Sequence, residues 1–280
     1  MPQSILLEFL DSVAVVTLNR PEKLNAFAED MRAQLVSALD RVAAHADVRV
    51  LVITGAGKGF CSGGDVQHMV GLKECGAGFD ALHPLLDAGR AIVTRLAAFE
   101  IPVIAAVNGV AAGAGCNLAL ACDVRLASSE ARFGETFVRI GLHMDWGGVH
   151  HLPRAVGVPN ALDLCWTGEL IDAEEALRLH LVQRVWPNAE FAQRWRAYAA
   201  RLAAAPQTSV RASKRALRAS FARTLQQNLD AEVAAQAACW QSADAAEGLR
   251  AFIERREARF AAPALAEDRR TPSAAARRFE

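Results

Sequence analysis

The sequence predicts an α/β fold of mostly parallel strands, followed by an all-helical region. Residues 48–55 and 102–109 are β-branched runs that end in glycine, a pattern typical of buried strands, and each precedes a helical pattern. Strand and helix units in succession favour parallel pairing within a sheet. From about Glu190 the pattern is helical throughout, which indicates a second region.

The chain opens with a predicted hairpin and a predicted helix. Residues 5–9 and 13–18 are apolar runs separated by Asp11 and Ser12, so we expect two antiparallel strands. A helix should follow, because four apolar residues fall on one face at helical spacing. These residues are Met31, Leu35, Leu39 and Val42.

The middle of the chain continues the alternation. A helix that includes Leu86 and Leu96 precedes the strand at 102–109, and a helix of small residues should follow that strand directly. Shorter strands are predicted at 123–127 and around 132–133.

The last part of the chain carries helix-start signals. Asp172 with Glu175 three residues later is a capping-box pattern for a helix that contains Leu181, and a further helix should start near Ser242. Residues 263–280 are rich in Ala, Pro and Arg without periodicity, so we expect a disordered tail there.

Composition limits the kinds of partner. Lys and Arg number 31 against 31 Asp and Glu, so no overall field would draw the chain onto nucleic acid or an anionic membrane. No uninterrupted apolar stretch approaches the roughly 20 residues of a membrane helix, and we recognise no signal peptide. We expect a cytoplasmic protein that binds neither nucleic acid nor membranes.

Cysteine and histidine usage gives no sign of a metal site. The six cysteines are scattered without a CxxC pair, inside stretches that resemble core, so we expect reduced structural thiols. The seven histidines lack metal-ligand spacing, and no HExxH motif occurs. We expect no metal.

Two glycine-rich turns, residues 59–65 and 108–115, each follow a predicted strand and lead into a predicted helix. The first N–H groups of a helix lack intrahelical partners, and the helix dipole adds partial positive charge. Two such ends facing one point can hold an oxyanion, and small residues let a ligand reach the backbone. Each turn alone is better explained as a tight strand-to-helix connection. The pair favours an oxyanion site.

Together with their surroundings, these turns resemble the signature stretches of the crotonase (enoyl-CoA hydratase/isomerase) superfamily. The resemblance covers most of residues 5–260. The matching segments, in chain order, are residues 19–26, 59–65, 102–122, 140–157 and 252–256.

The resemblance implies a crotonase-type spiral of β-β-α repeats with a C-terminal all-helical trimerisation region. The spiral core with the CoA-thioester site would span residues 1–195, and the helical oligomerisation region residues 196–262. A homotrimer, or a hexamer formed as a dimer of trimers, is the implied assembly. The implied substrate is an acyl-CoA, and no separate cofactor is needed because coenzyme A enters as part of the substrate.

The same resemblance assigns binding roles. The N–H groups of Gly64 and Ala114 would hold the thioester oxygen, and Lys23 and Ser62 would lie near the CoA nucleotide portion. Arg255 would reach a phosphate, in the same or a neighbouring subunit. For Lys23 and Arg255, solvated surface charge is an equally good interpretation. Asp65, in the first turn, is a binding candidate that also has the position of a helix cap.

The residues expected for hydration are missing. Hydratases of this family use two glutamates as acid and base, but the matching positions here are Asn117 and Phe137. Phenylalanine moves no proton, and an amide orients water but is a poor base. Glu135 would compensate only with a local shift in register, and we favour Asn117 and Phe137 as substrate-contacting residues.

Asp145 is the remaining candidate acid/base group. Its position resembles that of the essential aspartate in isomerases of CoA-thioester catabolism and in aryl-CoA dehalogenases. With Phe137 and Trp146 beside it, burial should raise the pKa of Asp145 enough for proton transfer near neutral pH. The pattern looks most like the ring-epoxide and dienoyl-CoA isomerase branch. A competing interpretation makes Asp145 the cap of the following helix.

Three alternatives stay open. An ordinary enoyl-CoA hydratase would use Glu135 or Asp145. A dehalogenase or thioester hydrolase would use Asp145 as a nucleophile. A crotonase-like RNA-binding or scaffolding protein is disfavoured by the balanced charge.

Overall fold

A computed structural model describes residues 3–260, so the predicted disordered tail at 263–280 lies outside the described residues. The strands are β1 (Ile5–Leu10), β2 (Val13–Leu18), β3 (Val50–Gly55), β4 (Gly59–Cys61), β5 (Val103–Val107), β6 (Val110–Ala112), β7 (Val124–Ser128), β8 (Arg132–Gly134), β9 (Ile171–Asp172) and β10 (Arg184–Trp186).

Helices fill the intervals between the strands and make up the end of the described chain. They are α1 (Glu29–Ala44), α2 (Val66–Glu74), α3 (His83–Ala98), α4 (Ala114–Ala121), α5 (Gly148–Val156), α6 (Val158–Thr167), α7 (Ala173–Arg178), α8 (Asn188–Ala203), α9 (Gln207–Ala219), α10 (Leu225–Trp240) and α11 (Ala243–Glu254).

The predicted hairpin and the predicted parallel pairing are confirmed. β1 and β2 pair antiparallel, and β2, β3, β5, β7 and β10 then pair parallel in one six-stranded sheet. A parallel sheet is normally covered on both faces. One face of this sheet packs on α8 through Phe191 and Trp195, and alternate residues of the strands face the larger core on the other side.

A second, four-stranded sheet positions the site. In it β4, β6 and β8 pair parallel, and β9 closes the edge antiparallel. β3 continues into β4 and then α2, and β5 continues into β6 and then α4. Each unit therefore gives one strand to each sheet and then a helix, which confirms the spiral of β-β-α repeats.

The strand β6 corrects one prediction, because the helix after Gly109 begins only at Ala114. The run of small apolar residues suits a strand or a helix equally, and pairing with β4 and β8 decides between them. Gly109 lies where the chain crosses from β5 in one sheet to β6 in the other. A Cβ there would lie 1.9 Å from the Lys58 carbonyl oxygen, so the crossing requires glycine.

Smaller corrections concern the last helices and one cysteine. Asp172 caps α7 as predicted, but the Glu175 carboxylate binds Arg178, and the helix ends before Leu181. Ser242 caps α11 as predicted. Cys75 is exposed at the end of α2, contrary to the core position we expected. Within residues 3–260 no helix is both long enough and apolar enough to cross a bilayer.

Gly115→Ala is expected to lower the thermal unfolding temperature by several degrees. The added methyl group would stand 2.1 Å from the Cys61 carbonyl oxygen, so β4 and α4 would have to separate. Overpacking of this kind costs about 1–3 kcal/mol. Gly71→Ala is the matched control, because its methyl group meets nothing within 4 Å on helix α2 and should stabilise slightly. Equal unfolding temperatures for the two variants would contradict the tight contact.

Candidate active site

The two glycine-rich turns meet at one edge of the second sheet. Residues 62–65 of the first turn follow β4, and residues 113–115 of the second turn follow β6. Because these strands are parallel neighbours, both segments leave the sheet on the same side. Gly63 has a φ of +99°, and a Cβ on it would stand 2.8 Å from the Ala112 carbonyl oxygen and 3.5 Å from the Ala114 nitrogen. Backbone therefore lies against backbone between the two turns, and only a residue without a side chain fits there.

Each turn offers one backbone donor. Phe27 forms a parallel bridge to Gly64, in which the Phe27 N–H donates to Gly63 O and the Asp65 N–H donates to Phe27 O. The Gly64 N–H takes no part in that bridge. Ala114 is the first residue of α4, so its N–H has no intrahelical acceptor. The two donors suit an oxygen that gains negative charge.

A cavity of about 1120 Å³ opens in front of the turns. Its walls are the turns themselves, helices α2 and α3, and the segment 136–147. Gly64, Ala114 and Asp145 all line it, so the structure brings the three predicted catalytic positions together. Most of the α2 and α3 wall is apolar, with Leu85 and Leu86 among its residues.

Asp145 presents a partly buried carboxyl group to this cavity. Its Oδ1 is buried and accepts no hydrogen bond from any described residue. Burial raises the pKa of Asp145 to about 6, and the positive charge of Arg32 opposes that rise. Helix α5 starts after Gly147 without a side-chain cap, so Asp145 does not cap it. The carboxyl group is left available for a ligand.

Asn117 and Glu135 lie behind the cavity wall and do not line it. The Asn117 Nδ2 donates to the Asp145 backbone oxygen at 2.9 Å, so this amide holds the Asp145 segment in place. Glu135 is 2% exposed, and neither of its carboxyl oxygens accepts a hydrogen bond from the residues that the structure describes. Burial raises the pKa of Glu135 to about 7, although nearby Cys116 and Asn117 lower it.

Phe137 and Trp146 both line the cavity. Phe137 lies next to the second turn, with its ring carbons 3.7 Å from the position of a Cβ on Gly113. Trp146 has a φ of 49° and stacks on Phe27 at 4.5 Å between ring centroids. At 5% exposure it forms part of the wall.

The structure places the predicted CoA-binding residues in different parts of the molecule. Ser62 lines the cavity, and its Oγ donates to Lys23 O at 3.3 Å, while the Lys23 Nζ lies 3.3 Å from Gln67 Oε1. The Asp65 side chain accepts from the Gln67 N–H and so caps α2, and its Oδ2 lies 3.6 Å from Arg20 Nη1. Arg255 is exposed at the end of α11, outside the cavity lining of its own protomer.

Arg32 on α1 is a further charged residue of the site that was not predicted from the sequence; it is 7% exposed and lines the cavity. The sequence contains a signal for this buried residue. Arg32 lies three positions before Leu35 and seven before Leu39, so it falls on the apolar stripe of the helix. A cation on such a stripe points to a buried charge. Among residues 3–260 no group of three His, Cys, Asp or Glu side chains could hold a metal ion.

Known proteins resemble this chain in both sequence and structure. The family model described as "Enoyl-CoA hydratase/isomerase" matches residues 8–263. A Rhodobacter capsulatus protein named "Probable enoyl-CoA hydratase" is 41% identical, over 92% of this chain and 97% of its own. The "1,2-epoxyphenylacetyl-CoA isomerase" of Escherichia coli is 36% identical, over 93% and 99%. The crystal structure of an enoyl-CoA hydratase from Bacillus anthracis superposes with a TM-score of 0.86 at 31% identity, over 92% and 99%.

Glu135→Gln is expected to raise the unfolding temperature at pH 8 but not near pH 4. The pKa of Glu135 is about 7 in the folded chain against 4.5 for the free group, so between these values the folded state holds a proton that the unfolded state has released. The unmodified chain thus loses stability as the pH rises through this window. Glutamine escapes the loss, of the order of 3 kcal/mol. Thermal unfolding followed from about pH 4 to 8 measures the difference.

Glu175→Gln is the control for this series. Its ion pair with Arg178 lowers the pKa of Glu175, so its substitution should give no gain at pH 8. A gain for Glu135→Gln that stays constant across the pH range would contradict a buried carboxyl group with a raised pKa.

Proposed function

The chain belongs to the enoyl-CoA hydratase/isomerase family, and we propose that it isomerises an unsaturated or ring-containing acyl-CoA with Asp145 as its acid/base group. The family acts on CoA thioesters, which fixes the class of substrate. Isomerisation is our assignment within that class. A double-bond shift needs one base that can return the proton it removed, which a single carboxylate can do.

One observation carries this assignment. Asp145 is a carboxylate of the described cavity lining. It belongs to the segment 136–147, which forms the cavity wall next to the two donor turns. The other acidic residue of that lining, Glu74, is the last residue of α2, about 12 Å from the start of that helix by helical rise. The positions where hydratases of the family carry glutamates hold Asn117 and Phe137.

The reaction follows from these positions. The thioester oxygen accepts hydrogen bonds from the N–H groups of Gly64 and Ala114. The Asp145 carboxylate removes a proton from the acyl chain, the C–H electron pair moves into the enolate, and the two N–H groups stabilise the charge on oxygen. The carboxylic acid of Asp145 then gives the same proton to another carbon of the conjugated system. No other reactant is consumed.

The electrostatics of Asp145 suit both halves of this cycle. Its pKa of about 6 leaves it mostly ionised at neutral pH, yet close enough to neutrality to return a proton. Arg32 opposes the effect of burial and keeps the carboxylate available as a base.

Hydration is the second candidate, since the names of several relatives favour it. It would require Glu135 to reach the substrate. Glu135 is 2% exposed and lies outside the cavity lining, so the 3-10 segment Thr136–Ile140 next to it would have to move.

We also propose that the C-terminal helices join copies of the chain into a trimer or a dimer of trimers. These helices expose large apolar side chains that a monomer would leave in water, among them Phe221, Trp240, Phe252 and Ile253. Large exposed apolar patches mark protein interfaces. Arg255 follows directly after the end of α11, two positions after Ile253, and this position suits contact with a neighbouring subunit's CoA.

Asp145→Asn is expected to lower kcat for 3-enoyl-CoA isomerisation by about 10²–10⁴-fold, because the amide cannot accept the proton. Turnover in deuterated water, followed by mass spectrometry and by absorbance of the conjugated product, measures the loss. Binding of acyl-CoA should persist, since the two N–H donors are unchanged.

Glu135→Gln is the matched control for this experiment. It removes the other carboxylate with a raised pKa but should leave isomerisation within a few-fold of the unmodified enzyme. Undiminished turnover in Asp145→Asn would reject the proposed base. Loss of crotonyl-CoA hydration in Glu135→Gln would instead favour the hydratase alternative.

Trp240→Glu combined with Phe252→Glu is expected to reduce the assembly to monomers, because a buried unpaired carboxylate is costly. Light scattering coupled to gel filtration measures the mass. Glu232→Gln on α10 is the control and should leave the mass unchanged. A monomeric unmodified chain would contradict the proposed assembly.

A further inference from the structure

The cavity contains a buried cation whose hydrogen-bonding capacity the chain leaves largely unused. The guanidinium of Arg32 carries five N–H donors. Its Nη1 donates to Ala28 O at a long 3.4 Å, and its Nε is buried without an acceptor. No other side chain or carbonyl of the described residues accepts from it. The guanidinium also lies over the Phe27 ring, at 5.5 Å from the centroid.

This cation stands close to the reacting end of the site. The Arg32 Nη2 is 3.9 Å from the position that a Cβ on Gly64 would take, so it neighbours one of the two oxyanion donors. Asp145 acts on Arg32 through its charge, without an ion pair within 4 Å among the described side chains. A group that reaches Arg32 must therefore belong to the part of the acyl chain near the thioester.

A hydrocarbon acyl chain would leave this arginine without an acceptor. A buried donor left unpaired costs about 1–3 kcal/mol, and a buried charge costs more. The apolar walls of the cavity, with Val93 and Leu86, suit a hydrocarbon, but Arg32 does not. An acyl group with an oxygen in the right place would satisfy the free donors, and sites of this kind discriminate strongly against analogues that lack the oxygen.

We propose that Arg32 selects acyl groups carrying a neutral oxygen acceptor, such as a hydroxyl, carbonyl or ring oxygen, within a few bonds of the thioester. Charge balance favours a neutral oxygen. The positive charge of Arg32 and the negative charge of Asp145 already offset each other, and a carboxylate would add a second negative charge beside Asp145. The inference rests on the proposed function for the acyl-CoA site, but not for the reaction.

A simpler role for Arg32 would be to tune the charge of Asp145 alone. That role predicts the same effect of an Arg32 substitution on every acyl group. A selective role predicts that the preference between acyl groups changes. The ratio of affinities for matched ligands separates the two, and saturated ligands keep the proposed isomerisation out of the measurement.

The experiment measures dissociation constants by calorimetry for five saturated CoA esters. Hexanoyl-CoA is the reference, 3-, 5- and 6-hydroxyhexanoyl-CoA carry a neutral oxygen at different distances, and hexanedioyl-CoA carries a carboxylate. The proteins are the unmodified chain, Arg32→Met, Arg32→Lys and Arg90→Met. Arg90 also lines the cavity, but its side chain is 80% exposed and lies beside Asp87, so it is the matched control.

The unmodified chain is expected to bind at least one hydroxy ester about 10-fold or more tightly than hexanoyl-CoA, the size of a hydrogen bond to a charged group. Arg32→Met should abolish that preference and leave hexanoyl-CoA binding equal or tighter. Arg32→Lys should keep part of it, and Arg90→Met all of it. If Arg32→Met does not fold, as judged by circular dichroism, the preference of Arg32→Lys must still fall.

Several results would overturn the proposal. They are the absence of any preference for a hydroxy ester, a preference that survives in Arg32→Met, or an equal weakening of all five esters. If hexanedioyl-CoA bound most tightly and Arg32→Met lost that affinity, the acceptor that Arg32 selects would be a carboxylate, and the proposal of a neutral oxygen would be wrong. Because none of these esters can be isomerised, a failed Asp145→Asn prediction would leave this result standing.

Discussion

The close approach of two stretches of backbone is the constraint on which the site depends. Gly63 and Gly115 bring the turn after β4 against the end of β6 and the start of α4, with the Ala112 and Cys61 carbonyl oxygens as the nearest neighbours. Side chains would hold these segments apart. Because both turns follow paired parallel strands, the main chain itself fixes where the Gly64 and Ala114 N–H groups lie. Donors fixed in this way need little reorganisation when charge develops on a bound oxygen.

Around these donors, the charged groups lie at different depths relative to the cavity wall. Arg32 and Asp145 reach the cavity wall, whereas Glu135 lies behind it, beside Asn117. Burial raises the pKa of both acids, but one of them faces the cavity and the other faces the core. The two carboxyl groups therefore differ in their access to the cavity more than in their pKa.

Much of this could be predicted from the sequence. The β-branched runs predicted β3 and β5, and the α1 stripe predicted its buried face, because local periodicity reflects burial directly. Gly64, Ala114 and Asp145 were predicted as site residues from the glycine-rich turns and the family resemblance, and the structure places all three on one cavity. The strand β6 was missed because small apolar residues fit either element, and pairing across the sheet decides. The position of Asn117 behind the wall depends on a contact 28 residues away, to the Asp145 backbone, which no local pattern contains.

The walls of the cavity have different origins. Strands hold the turns that carry the donors, but the opposite side consists of helices α2 and α3 and the segment between them, where Gly71, Gly76 and Gly78 have open space around them. Residues on that side can change in size without disturbing the paired strands. Under the proposed function, the strands meet the demand of stabilising an enolate and the helices meet the demand of fitting an acyl group, so a change of acyl group would require remodelling of one helical wall alone.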